Sequence, residues 1–150
     1  MSSPRYLVIG LGRFGTALAH ALAEAGAEVI AVDSDMANVE AVKSRVAYAI
    51  QLDATDPEAL RSVDCVSCKS VIVAIGENFE ATVLCVAALK EVGVGHVVAR
   101  ALTTRQARIL QAVGASEVVE IEVEMGMALG KRLVDGNPSG GSVVAAVPKR

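Results

Sequence analysis

The sequence predicts an α/β protein built on a doubly wound parallel sheet of six strands, in the order 3-2-1-4-5-6, with helices on both faces. Three observations predict it. Short apolar runs alternate six times with stretches of helical spacing, and parallel strands need crossovers of that kind. Apolar residues make up 53% of the chain and aromatics only 3%, so the core is Val, Ala, Leu and Ile, as in strands buried on both faces. The length, 150 residues, is that of one domain.

The first strand is Tyr6-Leu7-Val8-Ile9. Gly10, Gly12 and Gly15 follow it in the spacing G-x-G-x-x-G, and an apolar repeat at helical spacing runs from Phe14 through Leu18 and Leu22 to Ala25. The glycines therefore lie where a strand turns into a helix, the context in which this motif binds a nucleotide. Gly10 permits the tight turn, Gly12 lets the backbone approach a pyrophosphate, and Gly15 lets the helix pack close to the strand. The free N–H groups and dipole of the helix then face bound phosphate. A second strand, Glu28 to Val32, ends in Asp33. A carboxylate at that tip accepts two hydrogen bonds from a ribose diol and repels a 2′-phosphate. Strand, glycines, helix, strand and acid together are the Rossmann fingerprint.

The rest of the chain continues the alternation. Ser34 and Asp35 offer caps for a helix over Met36 to Arg45. Val46 to Leu52 reads as a third strand, and Asp53-Ala54-Thr55 follows at its C-terminal tip, where open α/β sheets bind ligands. For Asp53 and Thr55, adenine or ribose contact stands beside a plain capping and turn role. Asp56 caps a helix from Pro57 to Val63. Ser70 to Gly76 is the fourth and most apolar strand; Glu77-Asn78 leads into a helix ending at Glu91. His96 to Arg100 is the fifth strand. Thr103 and Gln106 form a capping box for a helix that stops at Gly114. Glu117 to Ile121 is the sixth strand, Val123 to Val134 the last helix, and Gly136 to Ser142 a linker. The ligand is expected across the crevice between the first and fourth strands.

Charge narrows the chemistry further. Arg13, inside the glycine motif, is placed to reach phosphate oxygens, and Arg100 ends a strand at the same edge. Glu124 opens the last helix, where the dipole favours a carboxylate and where one beside a nucleotide could hold Mg²⁺. The net charge is −3, with no basic stripe and few aromatics for base stacking, so no nucleic-acid partner is expected. No apolar run reaches membrane-spanning length and no leader pattern opens the chain, which points to the cytoplasm. Cys65, Cys68 and Cys85 read as structural thiols: Cys65-Val66-Ser67-Cys68 has no second pair or histidine for zinc and does not open a helix as a redox motif would.

Four stretches together resemble the N-terminal domain of the regulator-of-potassium-conductance (RCK/TrkA-N) family, in its Ktr/Trk-type potassium-uptake subunits. They are Val8 to Gly15, Asp53-Ala54-Thr55, Ala74 to Asn78, and Ala99-Arg100-Ala101 followed by Leu110 to Ala115. The resemblance implies a regulatory domain, not an enzyme, that binds NAD(H), ADP or ATP. It implies homodimers, commonly in an octameric ring, at the inner face of the cell membrane beneath a potassium-translocating subunit. It implies phosphate contacts at Gly10, Gly12, Arg13, Phe14 and Gly15, ribose contacts at Asp33 and Ser34, and an adenine side at Asp53, Ala54 and Thr55. Gly76, Asn78 and Arg100 complete the pocket, and Glu124 matches the acid of a cation-binding Pro-Glu pair whose proline is here Val123. Residues 1–135 correspond to the nucleotide domain. Residues 136–150 are expected to be linker and tail, without the family's C-terminal ligand domain.

The alternative is the cofactor domain of an NAD-dependent dehydrogenase. That activity needs a substrate domain and a proton donor beside the nicotinamide. The sequence offers no well-placed His, Lys or Tyr for it.

Overall fold

The structure is a computed structural model that describes residues 2–136. Of the linker and tail expected over 136–150, all but Gly136 lies outside the described residues. Six strands, β1 (Arg5–Ile9), β2 (Glu28–Asp33), β3 (Tyr48–Gln51), β4 (Ser70–Val73), β5 (Val97–Ala101) and β6 (Glu117–Glu120), form one parallel sheet in the order β3-β2-β1-β4-β5-β6. Six helices connect and follow them: α1 (Arg13–Glu24), α2 (Met36–Val42), α3 (Pro57–Arg61), α4 (Phe79–Val92), α5 (Thr104–Val113) and α6 (Ile121–Asp135). The predicted class, strand order and two-sided winding are those observed.

Side chains alternate along each strand because the period is two. On β1, Leu7 and Ile9 join one apolar cluster with α3, α4 and α5, through Leu60, Leu89 and Leu110. Tyr6 and Val8 join the other with α1 and α2, through Leu18, Ala19 and Val42. The sheet is thus sandwiched, and its central strands have no wet face. All four of Ser70 to Val73 are buried, which is why β4 reads as a continuous apolar run rather than an alternating one.

Boundaries moved where local chemistry overrode periodicity. The predicted Met36–Arg45 helix tightens into a 3₁₀ turn at Lys43–Arg45. The third strand begins at Tyr48 because Val46 and Ala47 are still turning in from that 3₁₀ segment. β4 stops at Val73, where pairing with β5 ends at Ala99. β6 ends at Glu120 and α6 begins at Ile121 with no intervening loop, two residues earlier than the spacing predicts. Among the described residues no helix is long and apolar enough to cross a membrane.

Candidate functional site

All six strands point the same way, so the loops after β1, β2, β3 and β4 meet at one edge. They enclose a crevice of about 350 Å³ beside the point where the strand order reverses. Gly10 and Gly12 form its floor, Asp33 and Ser34 one wall, Asp53, Ala54 and Thr55 the next, and Gly76 and Asn78 the far side.

The glycine loop has three separate constraints. Gly10 has φ +96°, and a Cβ there would lie 2.8 Å from the Ile75 nitrogen, so no other residue fits. Gly15 is required by proximity alone: its Cβ would fall 1.8 Å from the Gly10 carbonyl oxygen. At Gly12 no protein atom lies within 4 Å of an added Cβ. A side chain at Gly12 would only fill the crevice, so the empty space there suits a ligand that the backbone approaches closely. Gly12 caps α1 without contributing a side-chain acceptor, whereas Asp35, Asp56, Asn78 and Thr103 each cap their own helices. The first-turn N–H groups of α1 therefore remain available to an anion.

Asp33 sits half-buried at the C-terminal end of β2. Its Oδ2 accepts from the Leu11 N–H at 2.7 Å and its Oδ1 from the Asp35 N–H at 2.8 Å. A carboxylate has about four acceptor positions. Two fix its orientation and tie the glycine loop to the β2 turn; the others remain open to hydroxyl donors.

At the C-terminal tip of β3, Asp53 Oδ1 accepts from the Thr55 hydroxyl at 2.6 Å and the Thr55 N–H at 3.0 Å. These two bonds, the hydroxyl's first, hold the Asp53 carboxyl below its ordinary pKa. Because the folded value is depressed, the associated stabilisation is complete above the unfolded carboxylate pKa of about 3.9 and is lost as pH falls further. Asp53 is exposed, so its effect on stability is small. The expected result is in its titration: Thr55→Val raises the Asp53 pKa, measured by carboxyl-carbon NMR, and leaves the fold unchanged.

Five predicted residues lie beside the crevice rather than in its wall. Arg13 is exposed on the first turn of α1, and Gly15 is buried beneath the loop. Phe14 packs into the α1-side cluster. Arg100 places its guanidinium 5.6 Å from the Phe14 ring centroid and 3.7 Å from Glu122 Oε1. Glu124 accepts from the Glu120 N–H at 2.6 Å, closing the first turn of its own helix. Among the described residues no group of three or more His, Cys, Asp or Glu side chains is placed to hold a metal ion.

Sequence reading missed Asn38, Leu52, Ile75 and Ala81, which also line the crevice. Asn38 and Ala81 share a detectable signal, since each lies in the first turn of a helix that starts at this edge. Leu52 and Ile75 lie just past the ends of β3 and β4, and their apolar side chains suit the flat face of a base.

The cysteines are all buried and unpaired by disulfides. Burial pushes the Cys68 thiol up to about 11 and Cys85 up to about 12, and raises Cys65 as well. A reactive C-x-x-C needs the opposite shift. We therefore expect none of the three to react with Ellman's reagent in the native protein at pH 8, and all three to react in denaturant.

Fold and crevice together define a nucleotide-binding Rossmann domain. Within that class the chain belongs to the TrkA-N domain family, whose model matches residues 6–121. It is 36% identical over 132 residues to Ktr system potassium uptake protein C of Bacillus subtilis (strain 168), a match covering 88% of this chain and 60% of that one. Ktr system potassium uptake protein A of Vibrio alginolyticus is 34% identical over 131 residues, again with 60% of its length covered. The chain thus spans about 60% of the length of these curated relatives. Among solved structures, the NAD(P)-binding domain of an exopolyphosphatase-related protein from Archaeoglobus fulgidus superposes with a TM-score of 0.79 at 25% identity, over 87% of this chain and 97% of that one. The GsuK channel bound to NAD superposes with a TM-score of 0.74 at 14% identity, over 88% of this chain and 24% of that one, a likeness of fold.

Proposed function

We propose that the chain is a nucleotide-sensing regulatory domain of a potassium uptake system, binding NAD(H), ADP or ATP in the β1–β4 crevice. The observation that carries the nucleotide reading is Asp33, oriented by two backbone N–H groups and facing an uncapped helix across a glycine-walled space. The potassium reading rests on the Ktr relatives, and the NAD and ADP options draw on the GsuK structures solved with each. The domain acts at the inner face of the membrane, against a potassium-translocating subunit. A nucleotide shifts the assembly only as far as it binds one arrangement better than another.

Assembly with a second copy of the chain is supported by α6. None of its residues is buried, and Met127 is 71% and Leu133 64% exposed. Such a face on the last described helix suits a homodimer, from which a larger ring can be built.

Calorimetry with ADP, ATP, NADH and NADPH tests the nucleotide reading. ADP, ATP and NADH are expected to bind comparably, and NADPH weakly, because a 2′-phosphate would face Asp33. Absence of binding by all four overturns the reading. Steady NADH oxidation with a small carbonyl substrate would favour a dehydrogenase instead.

A further inference from the structure

Arg100 occupies an unusual position between two helix starts. It lies near the end of β5, opposite Val119 of β6. Its side chain is 19% exposed. The guanidinium lies over the ring of Phe14, which belongs to the uncapped first turn of α1. Glu122, in the first turn of α6, lies 3.7 Å from its Nη2. That separation is an ion pair but is too long for a hydrogen bond. The Arg100 Nε is buried and has no hydrogen-bond partner. Arginine has five N–H donors and no acceptor, and a buried donor left unmade is costly. The guanidinium is therefore under-committed: held by a ring face and a loose carboxylate, with a donor in reserve.

We propose that Arg100 is a positioning residue for which a bound phosphate and Glu122 compete, so that filling the crevice loosens the first turn of α6. The inference rests on the crevice holding a nucleotide. Phosphate at the α1 N-terminus brings negative charge to the side of Arg100 occupied by Phe14. A guanidinium prefers a phosphate, with which it makes charge-assisted bonds, to a solvated carboxylate, and Glu122 is 62% exposed. Drawing the guanidinium toward α1 weakens its hold on Glu122. Because α6 starts directly from β6, its first turn has no loop to absorb the change. Coupling of this kind is reciprocal: whatever removes Glu122 must tighten nucleotide binding.

The test is a double-mutant cycle read by ADP calorimetry. Glu122→Gln is expected to tighten ADP binding by roughly fivefold, at the low end of allosteric coupling. In an Arg100→Met background the same change should move the affinity by less than about twofold, since coupling requires both partners. Hydrogen exchange supplies the second readout, which a merely structural arginine would not move. ADP lowers the protection of amides 121–124 in the wild type and leaves them unchanged in Arg100→Met. If the methionine variant fails to fold, Arg100→Lys replaces it; lysine keeps the charge but lacks the flat fork, and the Glu122→Gln gain should shrink. The proposal is overturned if Glu122→Gln binds ADP no more tightly than wild type, or gains equally without Arg100. Failure of the wild type to bind any nucleotide would instead overturn the functional reading beneath it.

Discussion

Asp33→Ala is expected to weaken ADP and NADH binding by about a hundredfold. The carboxylate has two tasks, and alanine ends both. In the proposed site it presents the remaining acceptor positions to the ribose diol, and two hydrogen bonds to a charged group are worth roughly 1.5–3 kcal/mol each. It also accepts from the Leu11 N–H, between the first and second glycines, so the loop loses its tie to β2. A factor of ten corresponds to about 1.4 kcal/mol, so even partial loss of these terms gives the stated weakening. Asp33→Asn separates the tasks. The amide retains one oxygen acceptor, enough for the Leu11 bond, but cannot accept from both Leu11 and Asp35 through separate oxygens. It should keep the melting temperature within a few degrees and still lose affinity. Calorimetry and thermal melts together check both expectations; undiminished binding by Asp33→Ala would mean the ribose sits elsewhere.

Gly15→Ala should be among the most destabilising single-methyl additions in the chain. The new Cβ would lie 1.8 Å from the Gly10 oxygen and 2.9 Å from the Gly10 carbonyl carbon. These are backbone atoms, which cannot rotate aside as a side chain would. Overpacking commonly costs about 1–3 kcal/mol, and a clash with fixed backbone belongs at or above the upper end. At roughly 2–4 °C per kcal/mol for a domain of this size, the melting temperature should drop by about 10 °C. Gly12→Ala is the matched control. With no protein atom within 4 Å of its Cβ, it should leave the melting temperature nearly unchanged and reduce nucleotide affinity. One methyl group in each of two neighbouring positions would thus separate what the fold requires from what the ligand requires. Equal destabilisation by both changes would remove the argument that the Gly12 space is reserved for a ligand.

Most of the sheet was legible because its determinants are local. β1, β2 and β4 are apolar runs bounded by turn residues, and the G-x-G-x-x-G placed the crevice before any contact was known. Caps at Asp35, Asp56 and Thr103 gave three helix starts through side-chain chemistry that neighbours cannot easily override. The junction of β6 and α6 was not legible. Ile121 fits either element by periodicity, and the turn is settled by a carboxylate one turn on, Glu124, reaching back to the Glu120 N–H. The position of Arg100 was also hidden. Its place at the end of β5 was clear, but not that Phe14 and Glu122 would hold its side chain beside the crevice instead of in its wall. A long side chain chooses among partners brought together only by the completed sheet.

The register of the central strand bears on how the chain acquires its shape. β1 lies between β2 and β4, with Tyr6 opposite Val29 on one flank and Ser70 on the other. The second of those neighbours arrives much later during synthesis on the ribosome. Until it does, one edge of an almost wholly apolar strand is bare, and sheets dominated by such distant pairings form slowly. The nascent chain should therefore be most prone to aggregation in the interval after β1 and β2 have emerged and before β4 has, and a holding chaperone would be most useful in that interval.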